Sequence, residues 1–125
     1  MGRRAAIAAA LGAAPDATAE DRYYTVQSYT PPEGEVLEVG GLVFLPDGTL
    51  AASTRRGRVW LIDNPDATDP STSPFTMHAE GLWEGLGLNQ IDGDVLVLQR
   101  SELSRLRDMD GDRVAERIDT VANDW

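Results

Sequence analysis

Cysteine is absent from the 125 residues, and so is lysine. Without cysteine the chain can hold no disulfide, no thiol nucleophile and no Cys-x-x-Cys-His haem attachment. The eleven basic residues are all arginine and stand against 21 acids, for a formal charge of −10 and a pI of about 4.3. Nucleic-acid binding draws on basic patches that displace counterions, so this balance argues against it, and equally against an anionic membrane surface. The apolar run over residues 5–14 is too short to cross a bilayer. Catalytic signatures are lacking as well: there is no Ser-His-Asp set, no glycine-rich phosphate loop and no zinc cluster.

What is present is a repeated strand-and-turn pattern. Residues 40–63 read GGLVFLPDGTLAASTRRGRVWLID. Pro46-Asp47-Gly48 and Arg55-Arg56-Gly57 break this stretch into three short runs. Proline presets φ and glycine accepts positive φ, so the breaks are turns. Strands are expected at 41–45, 49–54 and 58–63. Turns this short force an antiparallel meander, because a parallel return needs a long crossover. The loop 64–74 is all turn formers and leads to an outer strand at 75–79. The pattern recurs at 86–91, 94–98 and 103–108, with an outer strand near 114–121. Asp92-Gly93 follows Asp47-Gly48 by 45 residues. A four-stranded repeat of roughly 40–50 residues is the period of a propeller blade.

The expected fold class is therefore all-β, a β-propeller fragment of two four-stranded blades, at 40–82 and 83–125, the second one truncated. A closed propeller needs at least four blades. The open faces are thus expected to meet the remaining blades or to drive self-association. Residues 20–39 form an N-terminal strand and linker. Within them YYTVQSY, at 23–29, reads as an orphan strand that completes a last blade.

Residues 1–19 read as a secretory signal, with Arg3-Arg4 as the positive end, the apolar run behind it and Ala17-Thr18-Ala19 as a small-x-small cleavage site. The alternative is a disordered or weakly helical alanine-rich end. The signal reading places the protein outside the cytoplasm, periplasmic or secreted, with no membrane span.

Alternating strand direction sorts the turns onto two faces. Face one collects Pro46-Asp47-Gly48, the loop 64–74, Asp92-Gly93 and the loop 108–113. Face two collects Arg55, Arg56, the link Leu82-Trp83-Glu84-Gly85 and the turn Arg100-Ser101-Glu102. Face two is the candidate ligand face. Arg55, Arg56 and Arg100 offer guanidinium forks for carboxylate or phosphate, Trp83 offers a flat surface for a sugar or quinone ring, and Glu84 and Glu102 offer acceptors. The same residues also read as solvated turn residues that pair among themselves, for instance Arg100 with Glu102.

The metal candidate is Asp108-Met109-Asp110-Gly111-Asp112, continued by Glu116. Oxygen ligands at alternate positions of a tight loop suit calcium. Numbered as an EF-hand loop, Asp108, Asp110, Asp112 and Glu116 take positions one, three, five and nine, Val114 gives its carbonyl, and Asp119 takes position twelve. Position six, which calls for glycine, is Arg113, and the flanks read as strands rather than helices. A plain hairpin turn is the competing reading. No other cofactor is demonstrable from these residues.

The stretches LEVGGLVFLPDGTLAASTRRGRVWLID and EGLWEGLGLNQIDGDVLVLQRSELSRLRDMDGDRVAERIDTVANDW, taken together, resemble the N-terminal blades of glucose/sorbosone dehydrogenase-like propellers. The likeness is strongest to secreted members that carry a c-type haem domain. It implies a six-bladed propeller, export and, in some members, sugar oxidation with pyrroloquinoline quinone. The chain departs from the family pattern at Gly85, where proline is usual, and at Arg113, where a glycine is usual. The family's histidine base and quinone-binding residues are expected on later blades and match nothing here; His78, in an outer strand, is not nominated. Three functions follow as expectations. The first is part of an exported dehydrogenase-like propeller, inactive alone. The second is a non-enzymatic propeller module that binds a carbohydrate or protein partner. The third is a small calcium-stabilised β module.

Overall fold

The computed structural model describes residues 23–125. The signal reading, with its cleavage site, and the first residues of the linker lie outside them. Eight strands form two four-stranded antiparallel sheets, each in sequence order. The first sheet holds β1 (Val39–Phe44), β2 (Leu50–Thr54), β3 (Val59–Ile62) and β4 (Phe75–Ala79). The second holds β5 (Gly87–Ile91), β6 (Asp94–Leu98), β7 (Leu103–Arg107) and β8 (Arg117–Ala122). These are the two propeller-like blades expected from the repeat, and they do not close into a barrel.

The turns form where the sequence punctuates. Asp47 Oδ1 accepts from the Thr49 amide at 2.9 Å, which folds the chain back between β1 and β2. Asp92 (φ 52°) and Gly93 (φ 86°) give the two positive φ values of a two-residue hairpin between Ile91 and Asp94. The loop to β4 carries a 3-10 turn, Pro70–Thr72, capped by the Asp69 carboxylate.

The sheets pack face to face. Ala51, Val59 and Leu61 of the first sheet bury against Val95, Val97 and Leu106 of the second, with Ala79 and Leu82 in the same cluster. The innermost strands come closest. A Cβ on Gly40 would lie 2.3 Å from the Gly85 carbonyl oxygen, and one on Gly41 would lie 2.7 Å from the Leu88 amide nitrogen. Only glycine allows β1 and β5 to touch by backbone, and this contact joins the blades at their inner edge.

The far face of the first sheet is also covered. Leu50, Ala52 and Ile62 bury beneath Tyr29 and Phe75. The Tyr29 hydroxyl donates to the Pro65 carbonyl, Glu35 pairs with Arg58, and the Glu38 carbonyl accepts from the Arg55 amide at 2.8 Å. The linker is therefore a strap over this sheet. Every residue of β2 is buried, which accounts for its small side chains: it is packed on both faces.

Two expectations are corrected. Residues 23–29 form no strand. No described strand offers the segment a ladder, and Tyr29 serves instead as a packing anchor. The outer strand of the second blade begins at Arg117 rather than near 114. The preceding residues are used by the acidic loop, where Val114 donates to the Asp112 carboxylate at 2.8 Å and Glu116 binds the Met109 amide at 2.6 Å.

Candidate functional site

The turns divide between two faces as alternating strand direction requires, and each face has its own chemistry. On face one, the loop between β7 and β8 gathers its acids. One carboxylate oxygen from each of Asp108, Asp110, Asp112 and Glu116 lies within 4.8 Å of the others. Aspartate turns make the gathering. Asp108 accepts from Gly111 at 2.7 Å and from Arg113 at 2.8 Å, and Asp110 accepts from Asp112 at 3.0 Å. Burial pushes the Asp108 carboxyl up, but the amides of Arg113, Gly111 and Asp110, with His78, hold it below its ordinary value. Asp110, Asp112 and Glu116 are exposed and use one oxygen each on the loop amides, so the second oxygen of each stays available to a cation.

Arg113, at position six, has φ 74°. The backbone there adopts the left-handed turn for which glycine is preferred, with an arginine in place. Asp119, expected at position twelve, is elsewhere. It sits in β8, bonded to Arg117 Nε at 2.5 Å and facing Arg107 Nη1 at 3.6 Å. A ladder residue tied to two arginines is not free to close a loop eleven residues behind it, so four carboxylates, not five, make the cluster.

Arg113 has a role that sequence reading missed. Its Nη2 reaches Asp63 Oδ1, beyond the end of β3, at 2.6 Å. Its carbonyl oxygen lies 2.7 Å from His78 Nδ1, which must carry the proton because a carbonyl only accepts. The Ala115 amide donates to the His78 carbonyl at 2.8 Å. The acidic loop is thereby clasped to the first blade. Placing both loops on one face was the only sequence signal for this pairing. His78 lies in β4, the outer strand of the first blade, and is buried.

On face two, the link between blades is held from beneath. Buried Gln99 accepts from the Trp83 amide at 2.7 Å and donates to Ser104 Oγ at 2.7 Å. The Arg100 amide donates to the Trp83 carbonyl at 3.0 Å. Trp83 stays exposed on this platform, and the Arg100 guanidinium lies over its ring, 5.5 Å from the centroid. Arg100 also faces Glu84 at 3.9 Å. The expected pair with Glu102 does not form, because Glu102 turns inward to Ser104 Oγ at 2.5 Å. The Leu82 amide donates to the Gly57 carbonyl at 3.0 Å, so the arginine turn abuts this link. Arg55 and Glu84 line one cleft of about 290 Å³ with Glu38 and Gly85. Arg55, Trp83, Glu84 and Arg100 thus belong to one corner, and Arg56 is the next residue of the Arg55 turn. Gln99, the support of that corner, gave no sequence signal.

Among the described residues no helix is long and apolar enough to cross a membrane. Comparison with family models, with curated proteins and with solved structures finds no match.

Proposed function

We propose that the chain is a calcium-stabilised part of an exported propeller of the glucose/sorbosone dehydrogenase-like kind, supplying frame and metal site rather than reaction chemistry. The observation that carries the metal reading is the convergence of Asp108, Asp110, Asp112 and Glu116 within 4.8 Å. Calcium takes about six to eight oxygens in flexible geometry, and four carboxylates with water suit it. Magnesium demands a tighter octahedron and suits the loop less. The family part is supported by the two stretches quoted above and by the blade pair, and export by residues 1–19. No residue here is assigned to pyrroloquinoline quinone. Calorimetric titration with calcium, with magnesium as control, tests the metal reading. No heat and no shift in melting temperature would leave the loop a plain hairpin turn.

A second reading is a non-enzymatic module that binds a small ligand on face two. It is favoured by Trp83, held from below by Gln99 and yet open to solvent.

A further inference from the structure

Acids outnumber bases 21 to 11 in this chain, so an arginine meets a carboxylate easily. Six of the eight arginines among the described residues do. Arg58 pairs with Glu35, Arg100 with Glu84, Arg105 with Asp94, Arg107 with Asp94 and Asp119, Arg113 with Asp63, and Arg117 with Asp119. Arg55 and Arg56 are the exceptions: both are exposed, and no described carboxylate pairs with either. Neighbouring like charges repel, and an acid opposite them would relieve that. Their turn is nevertheless fixed. The Gly57 amide donates to the Thr54 carbonyl at 3.0 Å, and the Arg55 amide donates to the Glu38 carbonyl at 2.8 Å.

The two unpaired guanidiniums are thus presented on a rigid turn beside the cleft that Arg55 shares with Glu84 and Glu38. With Arg100 on the neighbouring turn, three guanidiniums gather at this corner of a protein of charge −10. A guanidinium forks onto a carboxylate with two parallel hydrogen bonds. Glu38 and Glu84, in the same cleft, offer acceptors and so call for donors on the ligand. Trp83 offers a ring surface. A carboxylate for the arginines, hydroxyls for the glutamates and a ring for the tryptophan meet in one chemical class.

We propose that the Arg55-Arg56 turn and the Trp83-Arg100 corner form a single binding site for an acidic sugar of the uronate type. Its carboxylate is taken by Arg55 and Arg56, its hydroxyls by Glu84 and Glu38, and its ring lies on Trp83. The inference rests on the second reading above in taking face two as the ligand face, and it holds whether or not the acidic loop takes calcium.

The test is a nuclear magnetic resonance titration of the full chain with glucuronate, with glucose as the neutral counterpart, at physiological ionic strength so that distant charges are screened. Glucuronate should shift the amides of 54–57 and 83–85 saturably, and glucose should bind at least about tenfold more weakly, a difference of roughly 1.4 kcal/mol. The Arg55→Gln, Arg56→Gln pair should weaken glucuronate by a similar factor. Should that pair fail to fold, Arg56→Gln alone carries the test. Arg117→Gln, which alters an exposed arginine of β8, should leave binding unchanged. Glucose binding as tightly as glucuronate would overturn the acid site and leave the carbohydrate reading standing. Binding of neither sugar would overturn both. Equal loss in Arg117→Gln would reduce the effect to general charge and overturn the site.

Discussion

Arg113 Nη2 lies 2.6 Å from Asp63 Oδ1, fifty residues away in the chain and on the other blade. The same residue holds a left-handed backbone at φ 74°. One position thus carries strain in its own loop and an ion pair to its neighbour. The two contributions oppose each other and can be separated.

Arg113→Gly should relieve roughly 1 kcal/mol of left-handed strain while losing a part-exposed ion pair worth at most about 1 kcal/mol. Its metal-free stability should stay near that of the parent. Asp63→Asn removes the pair alone and should destabilise. Adding Arg113→Gly to Asp63→Asn should then stabilise. Urea midpoints of the four proteins form the cycle. A double variant no more stable than Asp63→Asn would show that the loop is not strained at position six.

Much of this architecture is legible in the residues. Asp47-Gly48 and Asp92-Gly93 announce their hairpins, and the alternation of strands between turns sets both sheets and both faces. Boundaries shift where side chains compete for the backbone. The Asp112 and Glu116 carboxylates bind amides at 114 and 109 and so hold the last strand back to Arg117. Pairings between blades are not legible. Nothing in the order of residues says that Arg113 meets Asp63, or that Glu102 turns inward to Ser104 and leaves Arg100 to Glu84. Residues 23–29 mislead because aromatic and β-branched side chains suit a packing anchor as well as a strand.

Tyr29 should matter more for packing than for its hydroxyl. Its ring meets Phe75 edge-on at 6.5 Å, over Leu50, Ala52 and Ile62. Tyr29→Ala should cost about 2–4 kcal/mol, toward the range for large aromatic truncations. Tyr29→Phe should cost only about 1 kcal/mol, for the bond to Pro65. Equal losses in the two would mean that the strap is held by the hydroxyl and not by burial.

Acid should weaken the fold through its depressed carboxyls. The Thr49 amide and hydroxyl hold Asp47 below its ordinary value of 3.8, with Arg113 adding to them against slight burial. Asp108 shifts the same way. A carboxyl depressed in the folded state contributes stability above its unfolded pKa and loses it as pH falls through the folded one. Stability should therefore be flat near neutrality and fall below pH 3.8. Asp47→Asn should flatten that fall. An unchanged acid slope in the variant would remove Asp47 from the account.

Gly41 should tolerate no side chain. A Cβ there would meet the Leu88 amide at 2.7 Å, and the obstacle is backbone, not a flexible side chain. Gly41→Ala should force the inner strands apart at a cost of about 1–3 kcal/mol. Gly48→Ala is the contrast, since its Cβ meets nothing within 4 Å but its φ of 87° is strained. It should cost roughly 1 kcal/mol, with the contact between blades intact. The amide resonance of Leu88 distinguishes the two: it should shift in Gly41→Ala and keep its position in Gly48→Ala. An unshifted Leu88 resonance in both would mean that the blades do not depend on the glycine contact.

The acidic loop gives the sharpest contrast between metal-bound and metal-free protein. Asp110 is exposed, and beyond its bond to the Asp112 amide it faces the carboxylates of Asp108, Asp112 and Glu116. Without a cation these charges repel. Asp110→Ala should then leave the calcium-free protein no less stable than the parent, because relieved repulsion offsets the lost turn bond. With calcium the order should reverse. Binding stabilises the fold by mass action, and the gain grows as calcium exceeds its dissociation constant. The parent should therefore melt higher in millimolar calcium, on the scale of the weaker extracellular sites, while Asp110→Ala should not respond. Arg113→Gly should bind calcium more tightly than the parent, since the turn at position six would no longer be held against its side chain. An equal calcium response in the parent and in Asp110→Ala would mean that the ion binds elsewhere on this acidic chain. No response in any of the three would leave the loop as a hairpin held by its own aspartate turns.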